Sequence, residues 1–272
     1  MEEGFLATGS ARLYYQTGGQ GVPVVFLHGF GLDCRMWRPQ FGTLAQSFRV
    51  IRYDLRGYGR SSLPEGPYAH SDDLLELLHH LGALPAHLVG LSMGGQLALR
   101  LALTHPQAVR SLVLADSALD GYRWSVEWQE RWRGILEAAR AGDLEEAKRR
   151  WLRHPLFAPA LEHPPLAASL TEQIGDYSGW HWVHRDPDGV PSPPALERLE
   201  QVAQPALVVV GERDLADFQA IAHILAGRLP NARKVVIPGA GHMANLEAPD
   251  PFNREVLGFL RRVSQGSLRR EE

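Results

Sequence analysis

The sequence predicts an α/β protein: a mostly parallel sheet flanked by helices, with a helical segment inserted between two late strands. Three observations predict it. Short apolar, valine-rich runs alternate with helix-like runs along most of the chain, the pattern of parallel strands joined by crossover helices. Gly90-Leu91-Ser92-Met93-Gly94-Gly95 has the form G-x-S-x-G and lies between a strand-like run at 86–89 and a helix-like run at 96–104. Downstream, Asp214 and His242 each stand in the loop after a strand-like run, so the chain order is Ser, Asp, His.

The elements follow in order. Residues 3–8 and 11–17 read as two strands turning at Gly9-Ser10, an antiparallel edge hairpin. Residues 22–27 form the first central strand, 35–46 a helix, and 49–53 the next strand, which leads into Asp54. Ser71 is placed to cap a helix running through Ala83, with Asp72 and Asp73 in its first turn and Leu74, Leu75, Leu77, Leu78 and Leu81 on its apolar face. Residues 109–115 are another strand. From about Leu119 to Glu200 the alternation stops. Helical runs at 126–141 and 143–153 meet at Ala141-Gly142, and His163-Pro164-Pro165 and Pro191-Ser192-Pro193-Pro194 punctuate the remainder. A helix at 195–201 returns the chain to the sheet, whose last strands are 205–210 and 234–237. The expected organisation is a core of residues 1–118 and 201–272 and a helical cap at 119–200, placed over the serine. The tail at 264–272 is polar and its last residues are expected to be disordered.

The glycines around Ser92 have a physical reason. A nucleophile lifted on a sharp strand-to-helix turn has a strained backbone, and side chains at Gly90 and Gly94 would collide where strand and helix nearly touch. The helix that follows points its positive end at the site and favours developing negative charge. A serine nucleophile needs a base and an orienting acid. His242 and Asp214 supply those residue types, with Asp217 and Asp116 as other acids near strand ends.

His28-Gly29-Phe30-Gly31, the run from Asp54 to Ser61, Gly90 to Gly95, Gly211 to Asp214, and Gly241-His242 stand in one order across nearly the whole chain. In this the chain resembles the α/β-hydrolase fold, in the group of serine hydrolases with a helical cap. The resemblance implies Ser92 as nucleophile, His242 as general base and acid, and Asp214 as the orienting carboxylate. It implies an oxyanion hole from the backbone N–H groups of Phe30 and Met93, a structural His28, and a scaffold role for Asp54 and Arg56. It extends to carboxylesterases, enol-lactonases and pimeloyl methyl ester esterases. The expected reaction is hydrolysis of a carboxylic ester through an acyl-enzyme, with no cofactor and no metal. Enol-lactone hydrolysis and carbon–carbon hydrolysis of ring-cleavage products are the alternatives. A ligand receptor of the same fold is a more distant one.

Six of the seven tryptophans lie between residues 119 and 200; the seventh is Trp37. Trp124, Trp128 and Trp132 recur every four residues and share a face if the segment is helical. Trp180 and Trp182 flank His181. Trp124, Trp128, Trp180 and Trp182 are taken as substrate-binding candidates for an apolar acyl or aromatic group; packing of the cap onto the core is the other reading. His181 and His184 have a metal-like spacing without an evident carboxylate or cysteine partner. Arg123, Arg131 and Arg133 read as a solvated face or as attractors of an anionic substrate.

Composition bounds the rest. The chain has 272 residues, 44% hydrophobic and 22% charged, with net charge −3, which suits one core with an insertion and leaves no nucleic-acid footprint. No run approaches the ~18 apolar residues of a membrane span. The N-terminus is acidic and lacks a signal-peptide pattern. A single cysteine, Cys34, forms no internal disulfide. A cytoplasmic enzyme acting on a small molecule is expected, with no membrane or nucleic-acid partner; the sequence sets no oligomeric state.

Overall fold

The computed structural model describes residues 1–9, 11–189 and 191–266. Eight strands form one sheet in the order β1-β2-β4-β3-β5-β6-β7-β8. They are β1 (Glu2–Thr8), β2 (Ala11–Gly18), β3 (Pro23–Leu27), β4 (Arg49–Tyr53), β5 (Ala86–Leu91), β6 (Val109–Ala115), β7 (Ala206–Gly211) and β8 (Ala232–Ile237). The β1–β2 and β2–β4 pairs are antiparallel and all others parallel, as the edge hairpin and the alternating pattern predict. Strands β5 and β7 are buried at every position, which is why neither alternates apolar with polar residues and why β7 reads as an unbroken apolar run; β5 carries one buried polar side chain, His87.

Eleven helices accompany the strands among the described residues: α1 (Arg38–Leu44), α2 (His70–His80), α3 (Met93–Thr104), α4 (Val126–Arg140), α5 (Leu144–Leu152), α6 (Ala158–Leu161), α7 (Pro164–Asp176), α8 (Trp180–Val183), α9 (Ala216–Arg228), α10 (Ala244–Glu247) and α11 (Pro249–Ser264). Helix α1 packs on α11, α2 on α3, α3 along β3, β5 and β6, and α9 along β7 and β8. Between β6 and β7 lie α4 to α8 and no strand among the described residues. No helix among the described residues is long and apolar enough to cross a membrane.

Several boundaries differ from the sequence expectation for local reasons. The 35–46 helix starts as a 3-10 turn at Cys34–Trp37, capped by the Asp33 side chain, and becomes α-helical only where Pro39 fits its first turn. Ser71 does not cap α2. The cap residue is Ala69, and the N–H of His70 donates instead to Asp188 Oδ1 at 3.1 Å. Pro164 and Pro165 open α7 rather than interrupt a loop, since proline suits the first helical turn where no N–H is needed. The 195–201 run is a 3-10 helix. Ser10 and the end of the polar tail, 267–272, lie outside the described residues.

Burial gives the fold a titratable weak point. His87 in β5 is fully buried, with Nδ1 2.6 Å from Ser111 Oγ on β6. Burial pushes its pKa from 6.5 down to about 3. The folded ring therefore stays neutral, while the unfolded ring takes a proton below about pH 6.5. This group's contribution is complete above pH 6.5 and is lost as pH falls towards about 3, at up to about 1.4 kcal/mol per pH unit. A His87→Gln variant removes that titration. Its urea midpoint is expected to fall less steeply than the wild type's between about pH 6.5 and 4.5; parallel curves would contradict the assignment.

Candidate active site

Ser92 occupies the turn between β5 and α3 with φ 55 and ψ −116. A non-glycine residue there costs on the order of 1–3 kcal/mol and persists only where its surroundings enforce it. A Cβ on Gly94 would stand 2.1 Å from the Leu27 carbonyl oxygen, and one on Gly90 2.3 Å from the Gly94 backbone. These neighbours are main chain and cannot rotate away. Gly94→Ala is accordingly expected to destabilise the fold by ~3 kcal/mol or more, read as a lowered melting temperature. A variant that melts with the wild type would show that strand and helix can separate.

The imidazole of His242 and the carboxylate of Asp214 meet at Nδ1–Oδ2 2.9 Å, with side-chain exposures of 2% and 0%. Asp214 Oδ1 also accepts the Leu215 N–H at 2.7 Å. His242 Nε2 is buried and has no hydrogen-bond partner among the described residues. With the Asp214 oxygen accepting, Nδ1 carries the ring hydrogen and Nε2 is left with a free lone pair. Three features hold the ring. Phe218 packs against it at a centroid distance of 4.2 Å. Glu247 accepts the N–H groups of Gly241 (2.6 Å) and Met243 (3.0 Å), clamping the loop on both sides of His242. Pro159 of α6 sits against Gly241, where a Cβ would meet it at 2.6 Å.

The structure separates the three candidate acids. Asp214 reaches His242. Asp217 is spent elsewhere, accepting from the Tyr122 hydroxyl and from the N–H and hydroxyl of Ser125; it anchors the entry to α4. Asp116 is fully buried behind the pair and accepts the Gly211 N–H at 2.8 Å.

The loop after β3 carries Phe30. His28 is buried; its Nε2 accepts the Leu55 N–H at 3.0 Å, so its Nδ1–H donates to the Gly29 carbonyl at 2.9 Å. Burial lowers its pKa and keeps it neutral. Met93 is the first residue of α3, so its N–H has no carbonyl partner within the helix. Asp54 accepts the N–H groups of Cys34 and Arg60, and Arg56 forks onto Asp73 at 2.9 and 2.6 Å. Both serve the scaffold.

A cavity of about 590 Å³ opens on Ser92. Phe30, Met93, Trp124, Trp128, Trp132 and Trp151 line it together with Phe218, Leu136, Gln96 and Arg133. Trp124 and Trp128 stack at 4.5 Å and both abut Phe218. Only Trp128 and Trp132 share a helix, because α4 begins at Val126 with Ser125 as its cap. Trp180 and Trp182 do not line this cavity, contrary to the sequence expectation. Trp182 is fully buried against Tyr177 and behind Phe30, and Trp180 stacks on His184 at 4.7 Å. Both indoles belong to the four-residue helix α8. Trp151 and Phe218 also line the cavity without being singled out by the sequence: the apolar spacing Leu144, Ala147, Trp151 marks the inward face of α5 but not what that face meets, and α9 is only weakly amphipathic. Of the arginines, Arg131 pairs with Glu127 four residues earlier, while Arg133 lines the cavity.

His181 and His184 do not converge. His181 instead approaches His70 and Asp186. Tyr68 Oη sits among them, donating to Asp186 at 2.9 Å and lying 3.4 and 3.5 Å from the two imidazoles. The hydroxyl fills the space a cation would need, so the cluster works as a hydrogen-bonded strap from the 181–188 stretch to α2. Asp33, Cys34 and Asp54 also lie together, but Asp33 is held by Arg35 and Asp54 by backbone N–H groups.

A family model described as the alpha/beta hydrolase fold matches residues 22–249. The chain belongs to this family. RutD of Azorhizobium caulinodans, provisionally named a carbamate hydrolase, is 30% identical over 275 residues, covering 94% of this chain and 98% of its own. A thermophilic esterase from Thermogutta terrifontis superposes with a TM-score of 0.83 at 29% identity, over 97% of this chain and 99% of its own. The enol-lactonase of Burkholderia xenovorans LB400 gives 0.83 at 28% identity, over 95% and 100%. This α/β-hydrolase is thus a hydrolytic enzyme acting on ester-like bonds.

Proposed function

We propose that this α/β-hydrolase cleaves carboxylic esters of small to medium apolar acyl or aromatic groups through a Ser92–His242–Asp214 triad. The observation that carries the reading is the buried His242–Asp214 pair, whose unpartnered Nε2 belongs to a ring packed against Phe218, a residue of the cavity that opens on Ser92. In this reading, residues 1–118 and 201–272 form the catalytic core and 119–200 a cap over the serine. Trp124 and Trp128 bind the apolar group; Trp180 and Trp182 pack the cap.

His242 Nε2 takes the Ser92 hydroxyl proton as the oxygen attacks the acyl carbon. The N–H groups of Phe30 and Met93 hold the oxyanion, each worth about 3 kcal/mol in the transition state. His242 returns the proton to the leaving alcohol. Water, deprotonated by the same nitrogen, then opens the acyl-enzyme and releases the acid. Asp214 fixes the imidazole tautomer and stabilises its cation. A second reading, lactone opening, is favoured by the likeness to the enol-lactonase; it uses the same steps, with the leaving alcohol still tethered to the acyl group.

The test is steady-state hydrolysis of p-nitrophenyl esters from acetate to decanoate beside a set of lactones. Turnover peaking at one acyl length supports the ester reading. Lactone opening without ester turnover would replace it with the second. The stacked Trp124–Trp128 pair closes one cavity wall. Trp128→Ala should therefore move the optimum to a longer acyl chain and lower kcat/KM on the wild type's best ester about tenfold. An unmoved optimum would remove Trp128 from the acyl site.

A further inference from the structure

Asp116 is an acid with no task in the mechanism above, yet it lies beside the residues that perform it. It follows β6 with φ 43, and its N–H donates to the Val209 carbonyl at 2.8 Å. Such a backbone is costly for a non-glycine residue. Here it directs the side chain to the end of β7, where Oδ1 accepts the Gly211 N–H. Gly211 lies directly beneath the His242 loop, since a Cβ on it would stand 2.0 Å from the Gly241 carbonyl oxygen. An oxygen of Asp116, an oxygen of Asp214 and a ring nitrogen of His242 all fall within 4.8 Å of one another. The second Asp116 oxygen, Oδ2, is buried and has no donor.

Two carboxylates cannot both stay ionised in so dry a site without added cations. Among the described residues no arginine or lysine pairs with either. The donors divide unequally. Asp214 receives the His242 ring N–H and the Leu215 N–H, whereas Asp116 receives only that of Gly211. The better-solvated carboxylate keeps the charge, and the proton goes to the other.

We propose that Asp116 is a neutral carboxylic acid in the working enzyme, that its proton is directed at Asp214, and that it is thereby the positioning residue that tempers the charge Asp214 presents to His242. This rests on the triad reading. Burial and the neighbouring Asp214 push the Asp116 carboxyl well above the usual carboxylate range. The other titratable groups facing His242 do not replace it. Glu247 is committed to the Gly241 and Met243 N–H groups, and burial lowers His154 to about 4, so it is neutral.

Two readouts test the proposal. Infrared difference spectra of wild type minus Asp116→Asn, at neutral pH, should show a protonated-carboxyl C=O band that only the wild type has. The acid limb of kcat/KM against pH should hold within about 0.3 pH unit in Asp116→Asn, because an amide also accepts from Gly211 and donates to Asp214. In Asp116→Leu it should rise by about half a unit or more, since Asp214 then acts on the imidazolium undiminished. Absence of the band overturns the proposal. So does an acid limb in Asp116→Asn that falls by about a unit or more, the effect of deleting a second negative charge near His242. Should Ser92 prove not to be the nucleophile, the infrared band still reports on Asp116, so the two failures are separable. Should Asp116→Leu fail to fold, Asp116→Asn carries both readouts.

Discussion

Ser92→Ala is expected to remove ester turnover, lowering kcat by roughly 10⁴-fold or more while leaving the protein as stable as the wild type. The loss follows from chemistry: without the hydroxyl there is no acyl-enzyme, and what remains is binding and the oxyanion donors. The unchanged stability follows from geometry. The Ser92 hydroxyl makes no hydrogen bond among the described residues, and alanine meets the same cost at φ 55 that serine already bears. The pair of measurements is kcat on the best p-nitrophenyl ester and the melting temperature. Retention of more than about a tenth of the wild-type kcat would sink the triad reading.

Asp214→Asn should cost about 10⁴-fold in kcat near neutral pH. Asparagine keeps the acceptor for the Leu215 N–H, so the loop after β7 is retained. What changes is the proton on the imidazole. An amide N–H facing Nδ1 makes that nitrogen the acceptor and moves the ring hydrogen to Nε2, where a base is needed. The comparison is kcat across the pH range for the variant and the wild type. A loss smaller than about tenfold would transfer the orienting role to Asp116, the other carboxyl within reach of His242.

The parts of this enzyme that sequence reading reached are those written in local patterns. Strand β7 is recognisable because burial on both faces favours an apolar side chain at every position, and the elbow because Gly90 and Gly94 answer main-chain collisions that no other residue avoids. The chain order of Ser92, Asp214 and His242 could be read because each follows a strand end. Glu247, which clamps the His242 loop, went unread although it stands only five residues beyond the histidine; nothing about an isolated glutamate indicates which N–H groups it will meet. The bounds of helix α7 are not set by the sequence, because the Pro164-Pro165 pair punctuates a chain yet also suits a first helical turn. Trp180 and Trp182 show the same limit. Their sequence neighbourhood says aromatic and irregular, while the cavity is walled by Trp124, Trp128, Trp132 and Trp151.

The sequence by itself determined the fold class, the glycine-flanked turn at Ser92 and the identity and order of the residues that can serve as base and acid. Glycine tolerance, apolar runs and chain order are properties of neighbours along the chain. Tertiary structure alone decided which carboxylate meets His242, which indoles face the cavity, and that Asp116 is shut in with Asp214. Those outcomes depend on how helices pack across the sheet and on how much water remains between groups that are not neighbours in the chain, such as Asp116, Asp214 and His242. Desolvation and side-chain direction in an irregular helical segment are set by that packing, and no local pattern encodes them.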